Sequence, residues 1–497
     1  MNNRLNARIV GSLLLAAVCS LGGGCSPSEP EGSSTTGTGG VGGGTGGVGG
    51  GTGGVGGGTG GVGGGTGGVG GGTGGVGGGT GGVGGGTGGV GGGTGGVGGG
   101  TGGVGGGTGG VGGGTTPPGT HFAATATEWS LPADSPTTNG FYSIASSWWT
   151  TMDLDGDGKP DLVVTADATE DNRRWLVHKN TGSGFAATAT EWSLPGDSPT
   201  TNGFNSIASS WWTTMDLDGD GKPDLVVTAD ATEDNRRWLV HKNTGSGFAA
   251  TATEWSLPGD SPTTNGFNSI ASSWWTTMDL DGDGKPDLVV PAGATDDNRR
   301  WLVYKNTGSG FAATATEWSV PADSPTSNGF YSVASSWWTT MDLDGDGKPD
   351  LVVPAGATED NRRWLVYKNT GSGFAATATE WSVPADSPTS NGFYSVASSW
   401  WTTMDLDGDG KPDLVVPAGA TEDNRRWLVY KNTGSGFAAT ATEWSLPADS
   451  PTSNGFYSVA SSWWTTMDLD GDGKPDLVVT AGATEDNRRW LVYKNTP

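Results

Sequence analysis

From Phe122 onward, short apolar runs alternate with polar turns, and the pattern returns every 63 residues. Each unit holds four runs of strand length and no stretch of sustained helical periodicity. In the first unit the runs are Phe122 to Leu131, Ser147 to Met152, Leu162 to Val164 and Trp175 to Lys179. Turn-forming residues separate them: Pro132 to Gly140, Asp153 to Asp161, and Asn180-Thr181-Gly182-Ser183-Gly184. Further units begin at Phe185, Phe248, Phe311, Phe374 and Phe437. Six near-identical units of four strands predict an all-β fold, a six-bladed β-propeller of four-stranded antiparallel blades.

The phase of the repeat predicts how the ring closes. If a blade starts with the run before the Asp153 turn, the run from Phe185 to Leu194 is its fourth strand. The chain then opens with an orphan fourth strand at Phe122 and ends with a blade that lacks one, at Tyr493-Lys494-Asn495. Pairing the first strand with the last blade leaves no open edge. The same order puts the Asp153 turn and the Thr181 to Gly184 turn on one face of the disc. It puts Pro132 to Ser146 and Ala166 to Asn172 on the other, with Trp129, Trp148, Trp149 and Trp175 toward that second face. Differences between copies, such as Tyr142 against Asn205, gather there too.

Residues before Phe122 read differently. Arg4 and Arg8 precede an apolar run, Ile9 to Leu21, too short to span a bilayer as a helix. Gly22-Gly23-Gly24-Cys25 follows, and residues 1–25 resemble a bacterial lipoprotein signal. That resemblance implies lipidation at Cys25, with Leu21 one place further from the Cys than the usual pattern has it. Ser26 after the Cys is not the aspartate that retains such lipoproteins at the inner membrane, so the outer membrane or cell surface is the expected location. From 26 to 121 runs a Ser/Pro stretch and then Thr-Gly-Gly-Val-Gly-Gly-Gly, eleven times from Thr38 to Gly114. Such glycine content predicts a flexible tether, with a root-mean-square span of about 50 Å.

Composition narrows the partners. The net charge of −26 makes nucleic acid a poor one. Cys19 and Cys25 are the two cysteines, so the repeats hold no disulfide. The chain has 24 Trp, four per unit.

Half of each unit's acids fall in one turn, Asp153-Leu154-Asp155-Gly156-Asp157-Gly158-Lys159-Pro160-Asp161. Carboxylates stand at positions 1, 3, 5 and 9, and Gly158 at position 6 permits a sharp turn. Position 7, Lys159, offers a backbone carbonyl. That is the oxygen set a hard cation takes, which points to calcium, about one per blade. Val164 at position 12 replaces the bidentate Glu of an EF-hand, and a strand follows instead of a helix. The corresponding ligands are Asp216, Asp218, Asp220, Lys222 and Asp224; Asp279, Asp281, Asp283, Lys285 and Asp287; Asp342, Asp344, Asp346, Lys348 and Asp350; Asp405, Asp407, Asp409, Lys411 and Asp413; and Asp468, Asp470, Asp472, Lys474 and Asp476.

The stretch Trp149 to Val164, followed by Trp175 to Phe185, resembles the FG-GAP/VCBS repeat, the blade type of integrin α-chain propellers. The resemblance covers 122–497. It implies calcium between the first and second strands of each blade, held by Asp153, Asp155, Asp157 and Asp161 and their equivalents. Family propellers often have seven blades. The literal Phe-Gly…Gly-Ala-Pro motif is missing, with Gly140-Phe141 in the nearest place.

Two sets of residues are candidates for a ligand on the opposite face. Trp148 and Trp149 are consecutive, so they point to opposite sides of the blade. Each either fills the space between blades or offers a stacking platform to a sugar ring. The platform candidates are Trp149, Trp212, Trp275, Trp338, Trp401 and Trp464. Beside them stand Arg174, Arg237, Arg300, Arg363, Arg426 and Arg489, which also have Glu128, Glu170 or Asp171 and their equivalents to pair with. Catalysis finds little footing. His121, His178 and His241 are the three histidines, so none recurs in every unit, and nothing marks Glu128 and Asp134 as an acid–base pair. The sequence thus reads as an exported, lipid-anchored, calcium-stabilised propeller acting as a multivalent binding or adhesion module. Its expected partners are glycans, with an integrin-like protein–protein adhesin as the alternative and a polysaccharide-degrading enzyme behind both.

Overall fold

The computed structural model describes residues 121–496 apart from 133–147, 167–172, 197–210, 231–234, 260, 262–273, 294–297, 323, 325–337, 357–360, 385–386, 388–400, 420–423, 448–449, 451–462 and 483–486, together with three short segments before residue 74. Cys25, the signal and the rest of the linker lie outside the described residues, as do Tyr142 and Asn205.

Six four-stranded antiparallel sheets form a six-bladed propeller. In the first blade the strands are Trp149–Met152, Asp161–Thr165, Arg174–His178 and Thr190–Ser193, paired in chain order. The innermost strand shortens to three residues in three blades, at Thr276–Met278, Thr339–Met341 and Thr402–Met404. Burial explains the strand sequences. The second strand, Asp-Leu-Val-Val-Thr, is buried along its whole length because both its faces meet neighbouring blades. The outermost strand, Thr-Glu-Trp-Ser, buries only its Trp and presents the rest to solvent.

One boundary differs from the sequence reading, which ran the fourth strand from Phe185. Asn180 and Phe185 form an isolated bridge that closes a tight turn. Gly182 turns it at φ 80°, and pairing resumes only at Thr190. Phe185 is used elsewhere: its ring packs edge-on against Trp129 and Trp490 of the adjoining blade, at 5.0 and 6.2 Å between centroids.

Blades meet through aromatic rings. Trp175 of the first blade lies 5.0 Å from Trp212 of the second, and Trp149 lies 5.0 Å from Trp490 of the sixth. The ring is therefore continuous from last blade to first. Tilted or edge-on aromatic pairs of this kind add about 0.5–1.5 kcal/mol each beyond the area they bury. Further in, Thr214 Oγ1 reaches Met152 S of the preceding blade at 3.7 Å.

Closure follows the strand exchange the repeat phase predicts. Thr127–Ser130 pairs antiparallel with Arg489–Tyr493, matching Trp129 to Trp490. Ala123 N–H donates to Lys494 O at 2.7 Å, and Thr496 N–H donates to His121 O at 2.7 Å.

Three short segments of the glycine-rich region are paired. Val41–Thr45, Val55–Thr59 and Val69–Thr73 pair as a parallel three-stranded sheet. The register sets Val41 opposite Val55 and Val55 opposite Val69. Two heptapeptides separate partners, so an exact repeat brings like residues into line, and glycine backbones meet no steric obstacle to pairing.

A chain that begins at Pro136 lacks the closing strand. It forfeits Trp129, which is 2% exposed and worth about 3–5 kcal/mol on the scale of buried Trp deletions. It also opens an edge on the sixth blade. Light scattering and thermal melting should show an aggregating or swapped, less stable protein. A monomer as stable as one that begins at Pro117 would refute strand exchange.

Candidate metal centre

Each acidic turn links the first two strands of its blade at the end away from the Trp pairs. Met152 faces Asp161 in the register, and Trp149 faces Val164 at the far end. The turn is built by its own backbone. Asp153 Oδ1 accepts from Gly156 N at 2.8 Å and Asp157 N at 3.1 Å, and Oδ2 accepts from Gly158 N at 2.8 Å. Asp157 N also donates to Asp155 Oδ1 at 3.2 Å, and Lys159 N donates to Asp157 Oδ1 at 3.0 Å. Gly156 and Gly158 take φ of 80° and 88°, a region that side chains resist, and this curls the amides inward. Asp161 starts the second strand; its Oδ1 accepts from Asn180 N at 2.8 Å and its Oδ2 from Leu154 N at 3.3 Å.

The same turn forms in all six blades, and carboxylates converge in each. Oxygens of Asp153, Asp155 and Asp161 lie within 4.8 Å of one another, as do those of Asp216, Asp218 and Asp220 in the second blade. Similar groups form at Asp279, Asp281 and Asp287, at Asp342, Asp344 and Asp350, and at Asp405, Asp407 and Asp409. These aspartate clusters could hold a metal ion.

Three features bear on whether a hard cation fits. The donors are carboxylate oxygens, the type calcium takes. The amides occupy one oxygen of Asp155 and Asp157 and leave Oδ2 of each facing out, where ammonium groups meet them. Lys179 Nζ pairs with Asp155 Oδ2 and stands 3.4 Å from Asp157 Oδ2, and Lys159 Nζ stands 3.5 Å from Asp157 Oδ2. Finally, Asp476 is 1% exposed, yet its Oδ2 has no hydrogen-bond donor. A buried carboxylate oxygen without a donor is costly unless a cation or a proton serves it.

Burial drives the protonation of these groups. It pushes Asp161, Asp224, Asp287, Asp350 and Asp413 up to about 7, against the opposing pull of the Asn180-type amide, and Asp476 up to about 8. Burial likewise raises Asp153 and Asp216 above the usual carboxylate range.

The two sets proposed for the opposite face fare differently. The sequence left the second Trp of each pair between two roles, and the structure puts it in the first. Trp149, Trp212, Trp275, Trp338, Trp401 and Trp464 are 1–4% exposed and wedged against the third-strand Trp of the preceding blade. As a stacking platform they are corrected to interblade core, because no ring face stays open. Their neighbours Trp148, Trp211, Trp274 and Trp463 are half-buried.

Arg174, Arg237, Arg300, Arg363, Arg426 and Arg489 are exposed. Each pairs with a glutamate on the outermost strand, as Arg174 does with Glu191 and Arg489 with Glu128 at 2.9 Å. Exposed pairs of this kind contribute about 0–1 kcal/mol, so they form and part easily. The Arg173-type guanidinium is tied to backbone, donating to Pro195 O at 2.7 Å.

Sequence reasoning missed Asn180 and Lys179. Lys179 ended a run read as a strand and Asn180 opened a stretch read as a turn, yet both serve the acidic loop. The signal lay in the copies: Lys-Asn recurs six times, just after a position that is His in the first two units and Tyr in the other four.

Comparison with known families and structures bears on the whole chain. The profile described as FG-GAP-like repeat matches residues 216–290, 279–353, 342–416 and 405–479, and that of the FG-GAP repeat matches 150–177. No curated protein matches. Similar solved structures include the Photorhabdus luminescens Tc holotoxin pore, 18% identical with a TM-score of 0.48, covering 75% of this chain and 14% of that one. A lectin of Agrocybe aegerita that recognises non-reducing terminal N-acetylglucosamine is 19% identical with a TM-score of 0.40, over 70% of this chain and 81% of the lectin. Polysaccharide lyase Uly1 is 10% identical with a TM-score of 0.34, over 77% and 100%.

Protonation and metal loading should oppose each other. In the metal-free protein the Asp161-type carboxyls bind protons more tightly folded than unfolded, with folded values of about 7 to 8. Their contribution to stability is then fully present near pH 4 and below and is lost as pH rises toward 8. Melting in EDTA should track that loss, and calcium should abolish it. Calcium affinity should rise between pH 5 and pH 8, with proton release visible as a buffer-dependent binding enthalpy. A melting temperature in EDTA that climbs with pH, or that calcium leaves unchanged, would contradict this account.

Proposed function

The chain belongs to the FG-GAP-like repeat family, and on that premise we propose that it is a calcium-binding, non-catalytic propeller serving as a multivalent surface-binding module. Calcium, when bound, supplies the positive charge that offsets the converging carboxylates of each loop. The Asp153-type residues hold it, and the Gly156 to Lys159 amides keep their carboxylates in place. The carrying observation is repetition. Every blade offers the same loop, the same exposed Arg–Glu pair and the same buried wedge, so among the described residues no blade is set apart to hold a reaction centre.

The favoured ligand class is carbohydrate, at the end of the blades away from the acidic loops. There the exposed Arg174-type guanidinium shares an end of the blade with the half-buried Trp148-type ring. A sugar has an apolar face for the ring and hydroxyls for the Arg and Glu. One shallow site reaches about millimolar affinity, and six on a disc raise avidity by about 10²-fold. The chain is further read as exported and anchored at the outer membrane through lipid on Cys25.

A glycan array probed with and without EDTA tests the ligand class. Dense glycan surfaces should be bound far more strongly than free monosaccharide. Changing all six Arg174-type residues to Gln should abolish that binding and leave calcium loading intact. A folded, calcium-loaded protein that ignores every glycan would defeat the carbohydrate reading and favour a protein ligand.

The anchor has its own test. A fatty-acid probe should label the wild-type protein in cells and not the Cys25→Ser variant. Labelling of both, or of neither with release into the medium, would count against a lipid at Cys25.

A further inference from the structure

The six acidic loops are physically joined. Asn243 follows the third strand of the second blade, and its N–H donates to Asp224 Oδ1 of its own loop at 2.8 Å. Its side-chain amide donates to Leu154 O, in the loop of the first blade, at 2.8 Å. The amide also donates to Pro223 O at 3.0 Å, and its Oδ1 accepts from Gly245 N at 2.7 Å. Leu154 lies between Asp153 and Asp155, and its N–H holds Asp161 Oδ2. One buried, fully bonded asparagine thus grips the middle of one loop and the flank of the next.

The bond recurs at every interface at 2.7–2.9 Å: Asn306 to Leu217, Asn369 to Leu280, Asn432 to Leu343 and Asn495 to Leu406, with Asn180 to Leu469 across the ring closure. A second contact runs beside it. A Cβ placed on Gly156 would come within 2.8 Å of Lys222 Cγ, so the stem of position 7 in one loop lies against position 4 of the loop before it. The equivalent approach at Gly471 is made by Lys159, which again bridges the closure.

We propose that cation loading is cooperative around the ring, each loop setting the geometry of the next through this asparagine and lysine stem. The proposal rests on the reading of the loops as calcium sites. Without a cation, the carboxylates at positions 1 and 3 repel each other and draw Leu154 with them. Its carbonyl is the acceptor of Asn243, whose own N–H orients Asp224. A loaded loop fixes that carbonyl and so presents the next loop with its carboxylate already placed. A closed ring has no terminal site, so every loop is prepared by a neighbour. Coupling between linked sites is commonly about 5- to 150-fold in affinity, and the lower end is expected at each interface.

Calorimetric titration of the whole chain with calcium, alongside melting curves, decides the matter. Six ions should bind with a Hill coefficient clearly above one. Asp281→Asn removes one ligand of the third blade, a side chain whose described bonds stay within that blade. The five remaining sites should then bind more weakly on average, the loops beside it by about five-fold. Asn306→Asp keeps the backbone N–H and Oδ1 but removes the amide that donates to Leu217 O and to Pro286 O. It should leave six ions and lower the Hill coefficient. Six ions with a coefficient of one, or five unaltered sites in Asp281→Asn, would overturn the coupling and leave the calcium reading standing. No bound calcium at all would overturn the calcium reading. Should Asn306→Asp fail to fold, the Asp281→Asn titration decides alone.

Discussion

Each blade is held to the next by a Trp pair at one end and an Asn-to-carbonyl bond at the other, and the remainder of the structure accommodates these two contacts. The Trp pair, as in Trp175 with Trp212, fills the wedge between two twisted sheets with apolar area. The Asn bond, as in Asn243 to Leu154, is directional and buried, and fixes how far one loop sits from another. Apolar packing alone would tolerate sliding between blades. A buried amide with all its groups bonded does not, because a displaced donor is left unsatisfied at a cost of about 1–3 kcal/mol. Six copies of one interface must also sum to a full turn, and identical contacts at identical spacing give every interface the same angle.

Charge sets a second constraint on the same loops. Asp161 and its equivalents are buried where apolar strands begin, and burial moves them toward neutrality. The amides of Asn180 and Leu154 pull the other way at Asp161, as those of Gly156 and Gly158 do at Asp153, and favour the charged form. The lysines at Asp155 and Asp157 balance part of what remains, Lys179 from a position open to solvent, where its contribution is screened, and Lys159 from a half-buried one. The loop is therefore preorganised in backbone and frustrated in charge. That combination is expected of a site whose shape is made by the chain and whose charge is completed from outside. It also explains why the strand after the loop can begin with an acid: Asp161 is spent on the loop, and Leu162 to Val164 supply the core.

What could be read in the sequence was what repeats locally. Strand identity followed from apolar runs, loop chemistry from the spacing of Asp153, Asp155, Asp157 and Asp161, and ring closure from the phase of the repeat, which left Phe122 without a blade of its own. The role of Asn180 was not legible, because its acceptor Leu469 lies 289 residues away and becomes a neighbour only once the ring has closed. Trp149 was ambiguous for a related reason. Alternation says which side of a sheet a residue faces, and nothing in the local sequence says that Trp490 occupies that side. The outer strand was overestimated because Phe185 is apolar and adjoins the run, whereas its ring belongs to another interface.

Uniformity is the property that ties interface to function. Catalytic sites need an acid, a base and a bound group in distinct places. Here the divergence among described residues is slight, as with His178 against Tyr304, both fully buried. The surface groups that recur, the Arg174–Glu191 pair and its equivalents, are exposed, and pairs of this kind contribute about 0–1 kcal/mol. A weak contact repeated six times on a rigid disc gains strength only if the copies keep their mutual positions. The aromatic wedges and the asparagine links provide that rigidity.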